Sequence, residues 1–167
     1  MLLKEQMKII RNFQQQAPVL VVKIARALGL RVFKSTLPEN VSGMLKMDPN
    51  ATAGYSIYVN QSHPDTRRRF TIAHEIGHFI LHKNLLRDGI VEDALLRAEG
   101  LSNTTETEAN SFAADILMPW NLIRQLQDNG INTIEGLAAE LRVSTDAMSV
   151  RLIGVPYEQA KKMSAAE

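Results

Sequence analysis

Apolar residues along this chain recur in two different periods. From Pro18 to about Leu28, the residues Leu20, Val21, Ile24, Ala25 and Leu28 fall at helical spacing, and Gly29 follows as a natural stop. Three strand-like stretches come next, "LRVFKS", "VSGMLKMD" and "GYSIYVN", divided by the turn-rich "TLPEN" and "PNATAG". They predict a small, mostly antiparallel sheet. Pro64 opens a second helical pattern in which Phe70, Ala73, Ile76, Gly77, Ile80 and Leu81 face a core. The polar, irregular "LRDGIVEDALLRAEGLSN" predicts a loop with room for one helical turn. "TTETEANSFAADILM" reads as a further helix, with Thr105 and Glu108 at capping-box spacing and Pro119 interrupting it. After the "QDNG" turn, "TIEGLAAELRVSTDAMSVRLIG" gives two short helical patterns around "RVS", and residues from about 159 onward read as a frayed tail.

The expected fold is therefore α+β: a small sheet with one long helix, followed by a helix-turn-helix-like segment. A chain of 167 residues suits one compact unit with a small appendage, here 1–128 and 129–167. Hydrophobic residues at 45% and charged residues at 22% exclude disorder over most of the length. The net charge of +1 advertises neither a nucleic-acid nor a membrane surface. The chain has no cysteine, so thiolate metal knots, iron–sulfur clusters, disulfide scaffolds and thiol catalysis are excluded. Any metal must be held by histidine and carboxylate. "MLLKEQMKIIRNFQQQ" is too interrupted by charge for a signal peptide, and Lys23 and Arg26 break the next apolar run before it reaches membrane-spanning length. A cytoplasmic protein is expected.

The chemistry concentrates in "TIAHEIGHFILH", residues 71–82, inside the long helical pattern. At about 100° per residue, His74, Glu75 and His78 share one arc of a helix, so two imidazoles at i and i+4 can close on one ion. The intervening glutamate then flanks the position of an attacking water. Chance placement yields only about 0.006 such H-E-x-x-H motifs in a chain of this composition, and an apolar helix suits a buried metal better than a charged surface helix does. His82 lies two turns, about 12 Å, from His74, too far to join the same ion. It is expected to support the site by packing or hydrogen bonding. Leu81 and Asn84 stand where a third histidine ligand of the metzincin pattern would need Gly and His, so the third ligand should be a carboxylate.

Glu92, Glu99, Glu106 and Glu108 are the downstream candidates. Glu99 precedes Gly100 in a loop-like stretch, whereas Glu106 and Glu108 begin a well-patterned helix that can fix coordination geometry. Glu106 shares a face with Asn110, which can hydrogen-bond a ligating imidazole, while Glu108 has a capping role available with Thr105. Glu106 is preferred and Glu108 is the reserve.

Taken together, "RRRFTIAHEIGHFILH" and "ETEANSFAADILMP", with "IARALGLRVF" and "GYSIYVN" before them, resemble the ImmA/IrrE family of zinc-dependent metallopeptidases over roughly residues 18–154. The resemblance implies a zincin-like core, one zinc ion held by His74, His78 and Glu106, and Glu75 as general base and acid. It also implies a cytoplasmic regulatory protease acting on a helix-turn-helix repressor encoded nearby, in a mobile element or a stress response. Tyr55, Tyr58, His63 and Tyr157 are candidate donors to a tetrahedral oxyanion. A substrate peptide is expected to add as a strand to a free sheet edge, with "GYSIYVN" as the candidate. Arg67, Arg68 and Arg69 read as a solvated helix face, with guidance of an acidic partner as the alternative.

The competing class is a non-catalytic regulator or toxin–antitoxin component that acts by protein or DNA binding. Residues 129–167 carry four basic residues (Arg142, Arg151, Lys161, Lys162) and five acidic ones (Glu135, Glu140, Asp146, Glu158, Glu167). That is not the basic footprint of a DNA reader, so direct nucleic-acid binding is not expected.

Overall fold

A computed structural model describes residues 1–83, 90–91 and 102–153. Glu92, Glu99, Tyr157, the tail from 159 and most of the predicted loop after Leu85 lie outside the described residues.

The chain opens with a helix absent from the sequence-based expectations, α1 (Leu3–Phe13). Its N-terminus is closed by Glu5, whose Oε2 accepts from the Leu2 N–H at 2.9 Å. Leu3, Met7 and Ile10 fall at helical spacing; Ile10 is buried and Met7 and Phe13 pack against the core, while Leu2 and Leu3 stay exposed. The predicted second helix is α2 (Val21–Ala27). It ends in a Schellman motif: Gly29 N donates to Arg26 O and Leu30 N to Ala25 O, with Gly29 at φ 85°, a conformation that favours glycine.

Four strands follow in the order β1 (Arg31–Ser35), β3 (Tyr55–Asn60), β2 (Gly43–Met47) and β4 (Ile90–Val91). β2 is antiparallel to both β3 and β4, but β1 and β3 run parallel, so the sheet is mixed. The short connection after β2 returns the chain as an antiparallel neighbour, and β3 lies between β1 and β2, paired parallel to β1. Asp48 organises that turn: its Oδ1 accepts from Asn50 N at 2.9 Å, and its Oδ2 accepts from Ser56 Oγ and from Arg31 at 3.0 Å. Two expectations change here. β4 falls inside the segment read as loop, and β3, the expected docking edge, is bonded on both sides and offers no edge.

Helix α3 (Asp65–Leu81) starts after Pro64 and runs under the sheet, burying Ile72, Ala73, Ile76 and Phe79. Each such aliphatic or aromatic side chain contributes about 1.5–3 kcal/mol on burial. Gly43 lets β2 approach α3, since a Cβ there would collide with the Thr71 methyl and the Tyr58 carbonyl oxygen. The next helix, α4 (Ser102–Leu117), begins three residues before Thr105, which is buried inside it. The predicted capping box is therefore absent from the structure. The actual start is set upstream of the Thr105 signal.

Pro119 separates α4 from α5 (Trp120–Asp128) and caps the latter. Two short helices complete the described chain, α6 (Ile134–Leu141) and α7 (Thr145–Ile153). Thr133 Oγ1 accepts from Gly136 N at 3.1 Å and Ser144 Oγ from Ala147 N at 3.1 Å, so each helix has a side-chain N-cap. Leu137, Ala138, Leu141, Val143 and Met148 join the same hydrophobic core as α2, α3 and the sheet.

The arginine run in α3 contributes to this packing. Arg69 is only 7% exposed, and its guanidinium donates to Val19 O at 2.8 Å, Arg142 O at 3.1 Å and Leu141 O at 3.4 Å. Arg68 donates to the carbonyls of Gln61 and His63, and Arg67 to Ser42 Oγ. The run is thus graded: Arg67 stays exposed as a solvated residue, Arg68 is half-buried, and Arg69 is buried and ties α3 to the elements around it.

Candidate metal centre

Helices α3 and α4 cross closely, with Gly77 against Ala109. Turned toward that crossing are His74 and His78 from α3 and Glu106 and Asn110 from α4. His74 Nε2 lies 2.9 Å from His78 Nε2 and 3.3 Å from Glu106 Oε2, while Glu106 Oε1 lies 3.0 Å from His78 Nε2. The Asn110 Oδ1 stands 2.9 Å from His74 Nδ1. His78 is nearly sealed, its side chain 3% exposed, whereas those of His74 and Glu106 are partly open, so the cluster has one wet side. Glu75, next to His74, is buried.

The donor set fits a cation. Asn110 holds His74 with Nδ1 as donor, which turns the Nε2 lone pair toward the Nε2 of His78. Glu106 Oε1, facing the same point, is buried and has no hydrogen-bond donor unless His78 Nε2, 3.0 Å away, carries a proton. Acceptors that converge in this way repel one another unless a proton or a cation lies among them. Tetrahedral zinc with ligands at about 2.0–2.2 Å requires donor separations of about 3.3–3.6 Å. The observed 3.3 Å meets that, and the 2.9 and 3.0 Å separations would have to open by a few tenths of an ångström.

The electrostatics point the same way. Burial opposes a charge on His74, but hydrogen bonding to Glu106, the charges of Glu75 and Glu106, and Asn110 together hold its pKa above the ordinary 6.5. Burial likewise favours neutral Glu106, yet the hydrogen bonds and charges of His74 and His78 win and hold its carboxyl far below the usual range. The pocket attracts positive charge and keeps its carboxylate ionised.

The other sequence candidates separate. His82, at the C-terminal cap of α3, touches His78 through Nδ1 at 3.0 Å and Glu108 Oε2 through Nε2 at 2.9 Å. Glu108 thus faces His82, while Glu106 faces the two α3 histidines. Tyr55 packs edge-on against Phe79, Tyr58 stacks on Phe33, and His63 Nε2 contacts Glu39 O at 3.1 Å. Sequence reasoning missed the Glu108–His82 contact and the Gly77–Ala109 crossing. Spacing within one helix carries no signal for either, because both depend on how two helices cross.

In this α+β protein two histidines of an H-E-x-x-H helix and a carboxylate from a following helix form a group that could hold a metal ion, the donor set of a metallopeptidase. The chain belongs to the family described as the IrrE N-terminal-like domain, Peptidase_M78, whose model matches residues 25–153. It is 43% identical over 72 residues to the radiation response metalloprotease IrrE of Deinococcus radiodurans, covering 42% of this chain and 21% of that protein. Metallopeptidase ImmA of Bacillus subtilis is 28% identical over 105 residues, 63% of this chain and 57% of that protein. Immunity region protein 2 of Bacillus phage phi105, itself uncharacterized, is 24% identical over 139 residues, 80% of this chain and 82% of that protein. The chain therefore spans about a fifth and somewhat over half of the two named metallopeptidases. Among solved structures, a Mycobacterium tuberculosis transcriptional regulator shares the fold, with a TM-score of 0.59 at 16% identity over 92% of this chain and 48% of that one. Among the described residues, no helix is long and apolar enough to cross a membrane.

Proposed function

We propose that this protein is a zinc-dependent metalloendopeptidase that hydrolyses a peptide bond in a regulatory protein, with a helix-turn-helix transcriptional repressor as its substrate. The observation that carries this reading is the convergence of His74 Nε2, His78 Nε2 and the Glu106 carboxylate on one point, beside a buried Glu75. Two histidines and one carboxylate leave an open position, which suits catalytic zinc. A zinc ion there would act as Lewis acid toward the attacking water and the scissile carbonyl. Glu75 takes the proton of the attacking water and delivers it to the leaving amine. Asn110 orients His74, and Glu106 stays ionised because the two imidazoles face it. The repressor is inferred from the family resemblance, and the phage relative's name places that relative in an immunity region.

The described cations of the helix-turn-helix-like segment are already engaged within the molecule, which disfavours a DNA-binding role. Arg142 pairs with Asp65 at 2.7 Å; Arg151 pairs with Asp115 at 2.7 Å, donates to Met118 O and lies over Trp120. The test is incubation with the neighbouring repressor, with and without a chelator, using wild type and Glu75→Gln. Chelator-sensitive cleavage by wild type and none by Glu75→Gln, which keeps its zinc, is expected. Cleavage surviving in the variant sinks the mechanism.

A further inference from the structure

We propose that the free edge of β1 docks an acidic, extended segment of a partner protein, which adds there as a further strand.

The sheet order leaves β1 at one end, with β3 and β2 between it and β4, and α3 packs on β2 and β3. Gln61 N donates to Ser35 O at 2.9 Å as the last rung of the parallel ladder with β3. By the alternation of a strand, Arg31, Phe33 and Ser35 direct their backbone groups to β3, whereas Val32 and Lys34 turn theirs to the opposite side. Among the described residues, no strand pairs with that side. The N–H and C=O of Val32 and Lys34 are therefore placed to receive an incoming backbone.

Charge selects the occupant. Residues 19–48 hold five basic residues (Lys23, Arg26, Arg31, Lys34 and Lys46) and two acidic ones (Glu39 and Asp48), in a chain whose net charge is only +1. Asp48 is buried and bonded to Arg31, Ser56 and Asn50. Lys23, Arg26 and Lys34 are exposed, and among the described residues they pair with no carboxylate. A second copy of this chain would bring like charges to the edge, whereas an acidic segment brings opposite ones. A single-stranded nucleic acid binds such cations by also stacking its bases on open aromatic rings. Here Phe33 and Tyr58 stack on each other at 5.3 Å, with Arg31 over the first ring and Lys46 over the second, so both rings are already engaged. Nucleic acid also has no amide backbone with which to continue the ladder.

Fluorescence anisotropy on the full chain tests this, with a labelled peptide of about eight residues alternating valine and glutamate, its lysine counterpart, and oligothymidylate. The glutamate peptide should bind, more weakly at high salt. On binding, the Val32 and Lys34 amides should exchange with solvent more slowly, while that of Phe33, already bonded to β3, changes little. Lys34→Ala should weaken binding about fivefold through loss of charge. Lys34→Pro also removes an outward N–H that an edge strand can lack, and should weaken binding by about tenfold more. If the proline variant proves less stable to urea, the alanine variant and the amide exchange still decide. No binding of the glutamate peptide, equal binding of the lysine peptide, or unprotected Val32 and Lys34 amides overturns the proposal. Oligothymidylate displacing the glutamate peptide would reassign the surface to nucleic acid and overturns it as well.

Discussion

Gly77 and Ala109 touch where α3 crosses α4, so closely that a Cβ on Gly77 would stand 3.2 Å from both the Cα and the carbonyl oxygen of Ala109. Glycine in a helix interior costs about 1 kcal/mol relative to alanine. Its presence between the two proposed ligand histidines is explained by this approach, which brings Glu106 and Asn110 within reach of His74 and His78. Rigid backbone faces the new atom, so the helices must separate to admit one. Gly77→Val is expected to destabilise the protein by about 1–3 kcal/mol and to weaken zinc binding, read by urea unfolding and metal titration. Zinc affinity equal to wild type would show that the crossing does not set the site.

Glu106 and Glu108 are two residues apart yet face different histidines. Replacing Glu106 by Gln removes the charge of the proposed third ligand. The expected loss of zinc affinity exceeds the roughly 10–100-fold that follows from changing a ligand's hydrogen-bond partner. Glu108→Gln should cost far less. The reverse ranking by competition with a metal indicator would reassign the third ligand.

Arg69 ties α3 to the carbonyls of Val19, Leu141 and Arg142, with burial lowering its pKa without removing its charge. Arg69→Leu strands these carbonyls, and a loss of about 3 kcal/mol or more in urea unfolding is expected. Lysine carries the charge but cannot span three acceptors, so Arg69→Lys should fall between. A Lys variant as stable as wild type would mean that charge alone suffices.

Asp48 supplies an acid-sensitive contribution to stability. The hydrogen bond from Ser56 chiefly, then that from Asn50 N–H, and the nearby Arg31 lower its pKa below the ordinary 3.8. A depressed folded-state pKa contributes stability that is present above 3.8 and lost as pH falls through the lower folded value. Zinc-free wild type should lose stability across that acid range, whereas Asp48→Asn should be less stable at neutral pH and show a shallower acid limb. Parallel curves for the two proteins would remove Asp48 from the account.

Much was legible from the chain alone. Helix α2 with its Gly29 stop, the three strands, α3 beginning after Pro64 and the break at Pro119 all follow from local rules, because periodicity and backbone-restricted residues act within a few positions. The H-E-x-x-H spacing placed His74, Glu75 and His78 on one helical arc, and the lack of cysteine directed the search for a further ligand to carboxylates. Helix α1 was legible in principle, since Leu3, Met7 and Ile10 recur at helical spacing, but the charges of Lys4, Glu5, Lys8 and Arg11 between them obscure the stripe. The two-residue strand β4 exists only by pairing with β2.

What sequence spacing left open, the packing of separate elements decided. Whether β3 is an edge depends on β1 and β2 closing on both its sides. Whether an arginine run is solvated depends on which carbonyls surround it, and for Arg69 these belong to residues 50 and more than 70 positions away. The division of labour between Glu106 and Glu108 depends on the crossing of α3 and α4, made close by Gly77 and Ala109. Local chemistry determined which side chains were available to hold a metal; only the tertiary approach of two helices brought their donor atoms to one point.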